Sequence, residues 1–109
     1  QRPGLFLIES TGMNLRILIV GRRQDRVDRP TAILERVGHI VTGTLDDGVA
    51  LDLVGSSQFD ALLIDREVSP QDRRYVTTQA READPDTRVV VVESPEAVLT
   101  RLRHAGLTV

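Results

Sequence analysis

Short aliphatic runs, set apart by segments of helical period, constrain this chain more than any other feature. Leu15-Arg16-Ile17-Leu18-Ile19-Val20, Phe59-Asp60-Ala61-Leu62-Leu63-Ile64-Asp65 and the four valines Val89 to Val92 are long enough for buried strands and too short for buried helices. Near-continuous aliphatic strands belong to parallel sheets covered on both faces. In such sheets chemistry gathers at the carboxyl ends of the strands. One of these ends offers a carboxylate, Asp65, and another offers Gly21-Arg22-Arg23.

The intervening segments supply the helices. Asp28 caps an expected helix running to about Val37, with Val27, Ile33, Leu34 and Val37 on one side and Gly38 as its stop. Pro30 fits only the first turn of a helix, so the residues from Gly21 to Val27 are expected to form a long loop. His39–Thr42 reads as a short strand. Asp46 or Asp47 caps a second helix, with Val49, Ala50, Leu53 and Val54 inward, and Ala61–Asp65 is the third strand. Ser69-Pro70-Gln71-Asp72 is a strong helix start, combining a Ser cap, Pro in the first turn and an acid three residues after the cap. That helix should reach Ala83, with a thin stripe of Val76, Ala80 and Ala83. Arg88–Glu93 is the fourth strand. Ser94-Pro95-Glu96 opens a fourth helix carrying Val98, Leu102 and Ala105, Gly106 ends it, and Leu107-Thr108-Val109 begins a fifth strand. The result is (βα)₄β: an α/β three-layer sandwich around a parallel five-stranded sheet.

Composition narrows the function. The 109 residues suit one domain, and they are 40% hydrophobic and 28% charged, a globular balance. Two Phe, one Tyr and no Trp leave little for base stacking, and a net charge of −2 gives no general field toward nucleic acid. Direct nucleic-acid contact is therefore not expected. The absence of cysteine removes disulfides and thiolate metal sites and fits a cytoplasmic location. No apolar stretch is long enough to span a bilayer. All fourteen basic residues are arginine, so no mechanism can draw on a lysine from this chain. Residues 1–12 read as a tag, a linker or a mis-called start ahead of Met13, with 13–109 as the domain. Within them Leu5-Phe6-Leu7-Ile8 has the character of an added edge strand or a cover for exposed core. No G-x-G-x-x-G or Walker-type loop follows a strand, which speaks against a nucleotide or flavin binder. No Ser-His-Asp or metal-ligand spacing points to an enzyme. His39 and His104 are expected at surface or edge positions. Arg22, Arg23, Arg26 and Arg29 read as a solvated basic loop.

In order along the chain, six segments resemble the response-regulator receiver domain, the flavodoxin-like module of two-component phosphorelays. They are Leu15–Val20, Leu34–Val41, Asp46–Leu51, Phe59–Asp65, Ser69-Pro70 and Thr87–Val92. The resemblance runs from about Asn14 to Val109 and implies a CheY-like fold with Asp65 at the phospho-acceptor position. The departures define a degenerate, pseudo-receiver variant. Where the family carries two acidic residues after its first strand, this chain has Gly21 and Arg22. At the Thr or Ser switch position it has Glu93, with Ser94 next. The family's final helix is expected to be missing from the sequence up to Val109, as it would be in a trimmed or unusually short protein. With Arg22 in place of a carboxylate, the three pocket positions carry no net formal charge, and a guanidinium there repels a dication and is expected to pair with Asp65. The resemblance thus implies a signalling module that works without phosphorylation, holds no metal or other cofactor, and acts through protein partners, an attached output domain or self-association. The alternative is a genuine phospho-acceptor in which Glu67 and Glu93 supply substitute carboxylates around Mg²⁺ and the long loop swings Asp25 or Asp28 inward.

Overall fold

The computed structural model describes residues 14–108, so the segment with Leu5–Ile8 and the terminal Val109 lie outside it. Strands β1 (Arg16–Val20), β2 (Ile40–Thr44), β3 (Ala61–Asp65) and β4 (Arg88–Val92) alternate with helices α1 (Gln24–Arg36), α2 (Asp47–Ser56), α3 (Pro70–Ala83) and α4 (Val98–His104). The sheet has four parallel strands in the order β2-β1-β3-β4. Successive side chains on a strand point to opposite faces, and the two cores follow that alternation. Ile17, Ile19, Ala61, Leu63, Val90 and Val92 meet α1 and α4 through Val27, Leu34, Val98 and Leu102. Leu18, Val20, Leu62 and Ile64 meet α2 and α3 through Ala50, Val54, Val76 and Ala80. The fold is thus an α/β three-layer sandwich. Among the described residues no helix is long and apolar enough to cross a membrane.

Helix ends follow local chemistry. The Asp46 carboxylate accepts from the Val49 amide, and Ser69 Oγ accepts from the Asp72 amide, so both expected caps form. Ser94 differs: its side chain makes no capping bond, and a 3-10 turn (Pro95–Ala97) precedes α4. Two of the residues expected inward, Val37 and Val49, are about half exposed at the end of α1 and the start of α2. Ala83 is exposed as well. His39, expected at the surface or an edge, is buried, and its Nδ1 accepts from the Leu15 amide at 3.1 Å. His104 is exposed, as expected.

Two expectations fail for physical reasons. Helix α1 starts at Gln24, so there is no long loop above β1 and Pro30 sits inside the helix. Such a proline removes the hydrogen bond to the Arg26 carbonyl and costs about 3 kcal/mol. Burial offsets this. Pro30 is buried and lines one small cavity together with Ile19, Leu63, Val92 and Pro95, and Val27 reaches into the sheet against Gly21 and Gly43. A Cβ on Gly43 would lie 2.4 Å from Val27 Cγ1, so glycine is what lets α1 approach β2 so closely. The fifth strand does not begin at Leu107. Gly106, at φ +90, turns the chain back, and the Leu107 amide donates to the Leu102 carbonyl as part of the α4 cap. Leu107 packs on the α1–α4 core instead of extending the sheet, which among the described residues has four strands.

Candidate functional site

Because all four strands run the same way, their carboxyl ends and the starts of the following helices share one end of the molecule. The sequence reading places its candidate residues at this end. Asp65, the last residue of β3, is 5% exposed. The pleat decides its neighbours. Asp65 shares the parity of Ala61 and Leu63 and therefore faces α1. Arg22, two residues beyond Val20, shares the parity of Leu18 and Val20 and faces α2 and α3.

The ion pairs follow. Arg26, on the first turns of α1, donates from Nη2 to Asp65 Oδ1 at 2.8 Å and from Nε to both carboxylate oxygens at 3.1 Å. The same Nη2 reaches the Glu93 carbonyl at 3.2 Å. Asp65 Oδ2 also accepts the Glu67 amide at 3.1 Å. Both oxygens of the carboxylate are thus engaged. Arg22 does not touch Asp65, contrary to the pairing expected from the sequence. Its Nη1 and Nη2 grip the two oxygens of Asp47 at 2.9 Å each, and Nη2 contacts Asp72 at 3.2 Å. It thereby ties the start of α2 to the first turn of α3. The carboxylate of Asp47, and more weakly that of Asp72, holds the Arg22 guanidinium above the ordinary arginine value. Asp65 does the same for Arg26. Both therefore stay charged.

The remaining candidates sit around this pair. Gly21 is buried at the end of β1, where an added Cβ would lie 2.9 Å from Val27 Cγ2 and 3.5 Å from the Asp65 Cβ. Glu67 lies 3.4 Å from Arg23 and 3.7 Å from Arg26, and Asp25 lies 3.3 Å from Arg23. Asp28 accepts from Gln24 on the exposed side of α1. The carboxylates that a substitute cation site would need are thus drawn toward arginines or solvent. Glu93 touches the pair only through its backbone carbonyl, and Ser94 follows it at the end of β4. Among the described residues no three His, Cys, Asp or Glu side chains are grouped so as to hold a metal ion. With both Asp65 oxygens taken by a guanidinium and an amide, the residues present do not fit Mg²⁺, which needs several converging oxygens.

Arg26 is the residue that the sequence reading missed. Once α1 is taken to begin before Pro30, its place on the first turns above β3 follows, but the proline argued against that start. No protein-family model matches this chain, and no curated protein matches its sequence.

Proposed function

We propose that this chain is a receiver-like signalling module that has lost the phosphorylation switch and acts through contacts with other proteins. The observation that carries the reading is the Arg26–Asp65 pair. An acceptor aspartate has to present a free oxygen to an incoming phosphoryl group, with cations arranged around the transferred oxygens. Here a planar guanidinium covers the carboxylate on the side of α1, and the Glu67 amide holds the other oxygen. The strand order β2-β1-β3-β4 supports the flavodoxin-like comparison, since doubly wound domains of that type run 2-1-3-4-5. The position of Asp65 at the carboxyl end of the central strand β3 agrees with the acceptor position of that family.

The test is incubation with acetyl phosphate and Mg²⁺, followed by intact mass measurement of wild type and Asp65→Asn. The expected result is no phosphoryl adduct on either protein. An adduct on wild type that Asp65→Asn lacks would establish the phospho-acceptor instead and show that Arg26 swings away from Asp65 in solution.

A further inference from the structure

The turn between β4 and α4 is held from the side of α1. After Val92 the chain leaves the sheet, passes Glu93 and Ser94, and makes a single 3-10 turn, Pro95–Ala97, before α4 begins. The turn has few bonds of its own. The Ala97 amide donates to the Ser94 carbonyl, and the Val98 amide donates to the Pro95 carbonyl. Neither Ser94 at the start of the turn nor Ala97 at the start of α4 supplies a side-chain cap. A lone 3-10 turn and a helix of seven residues are both marginal without outside support. Pro95 also borders the small cavity above Ile19 and Leu63, so the turn has unfilled space on its inner side.

Two arginines one helical turn apart on α1 supply the support. Arg26 Nη2 donates to the Glu93 carbonyl at 3.2 Å, and Arg29 Nη2 pairs with the Glu96 carboxylate. The ties are unequal. Arg29 and Glu96 are both more than half exposed, whereas the Arg26 side chain is 16% exposed. Arg26 is also fixed from behind, because Asp65 holds its Nε and the same Nη2. A planar guanidinium held at two nitrogens has the directions of its other N–H bonds set as well. The Glu93 carbonyl therefore receives a donor that Asp65 aims. We infer that the β4–α4 turn is a strap clamped to α1, and that the state of Asp65 sets how tightly it is held. With Asp65 charged and paired, the strap lies shut. When Asp65 loses its charge, Arg26 turns outward and the strap loosens away from the carboxylate itself. A partner that reads the turn would thereby read the pocket. The inference rests on the Arg26–Asp65 geometry and not on the receiver-like reading. A phosphoryl adduct on Asp65 would overturn that reading, while the clamp stands or falls on a separate measurement.

That measurement is amide hydrogen exchange on the full chain, followed by NMR. Ala97 and Val98 report the strap, and the buried Leu63 reports global unfolding. Asp65→Asn should raise exchange at Ala97 and Val98 at least about threefold relative to Leu63, and Arg26→Met about tenfold or more. Arg29→Ala should raise it about twofold. Adding about 0.5 M NaCl should do the same to wild type and add nothing to Arg29→Ala, because only the outer tie is open to screening. Arg36→Ala, exposed at the far end of α1, should change nothing. Coupling is reciprocal, so Pro95→Gly, which loosens the strap from its own side, should speed exchange of the Arg26 Nε–H. If Arg26→Met fails to fold, Asp65→Asn and Pro95→Gly decide. Exchange at Ala97 and Val98 that moves only in step with Leu63 in Asp65→Asn would overturn the proposal. So would an Arg26 Nε–H that is indifferent to Pro95→Gly.

Discussion

Replacing Arg26 by Met isolates the pair at the centre of the proposed function. Methionine keeps an unbranched stem over the strand ends and removes only the guanidinium. Asp65, 5% exposed, then keeps one partner, the Glu67 amide. Breaking a fully buried ion pair by deleting one member costs about 3–5 kcal/mol, because the remaining charge is left uncompensated. Here the retained amide bond and the position at the mouth of the sheet reduce that, so about 2–3 kcal/mol is expected. With a urea m-value of about 1–3 kcal/mol/M, the midpoint should fall by roughly 1–2 M, and Tm by roughly 10–20 °C. Asp65→Asn should cost less, because Arg26 can turn toward solvent and Glu67. The double variant should be more stable than the sum of the single losses implies, giving a coupling of about 1–3 kcal/mol. A loss below about 0.5 kcal/mol in Arg26→Met, or additive single losses, would show that Asp65 is not held by this arginine. The account of the closed pocket would then fail with it.

Other changes test other parts of the structure. Gly43→Ala should destabilise by about 1–3 kcal/mol by urea denaturation, and adding Val27→Ala should recover part of that loss, because the new methyl meets the stiff Val27 side chain. Arg22→Met should cost about 1 kcal/mol, less than Arg26→Met because Arg22 is 30% exposed, and raising the salt should narrow its difference from wild type. Asp46→Ala and Ser69→Ala should each cost about 1 kcal/mol, the usual value of a lost helix cap. Millimolar Mg²⁺ should leave the melting temperature unchanged, and a clear rise would reveal a cation site that the donors described here do not form.

Much of the fold was legible because its signals are local. The aliphatic runs marked β1, β3 and β4 to within a residue, and the Ser69-Pro70-Gln71-Asp72 motif located the start of α3. The start of α1 was not legible, because the local penalty at Pro30 argued for a loop and the burial that offsets it, beside a cavity shared with Ile19, Leu63, Val92 and Pro95, comes from residues distant in sequence. The fifth strand was misjudged for a related reason. Leu107-Thr108-Val109 has strand character, but the Gly106 turn commits the Leu107 amide to the α4 cap. The site was legible as a place and not as a pairing. Asp65 and Arg22 both lie at the carboxyl end of the sheet, yet the two-residue period of the strands sends them to opposite faces. Carrying β1 and β3 one step further would have separated them. It would then have pointed to α1 for the partner of Asp65 and to α2 and α3 for the partners of Arg22.

The same geometry explains why so many carboxylates surround so few arginines. The starts of α1, α2 and α3 meet at this end, and each brings the partial positive charge of unsatisfied amides. Placing Arg22, Arg23 and Arg26 there as well would be unfavourable without compensation. Asp25, Asp47 and Asp72 in the first turns of the three helices, with Asp65 and Glu67, supply it. Each guanidinium is matched within the chain, so little net field remains to draw in either a dication or a free phosphate.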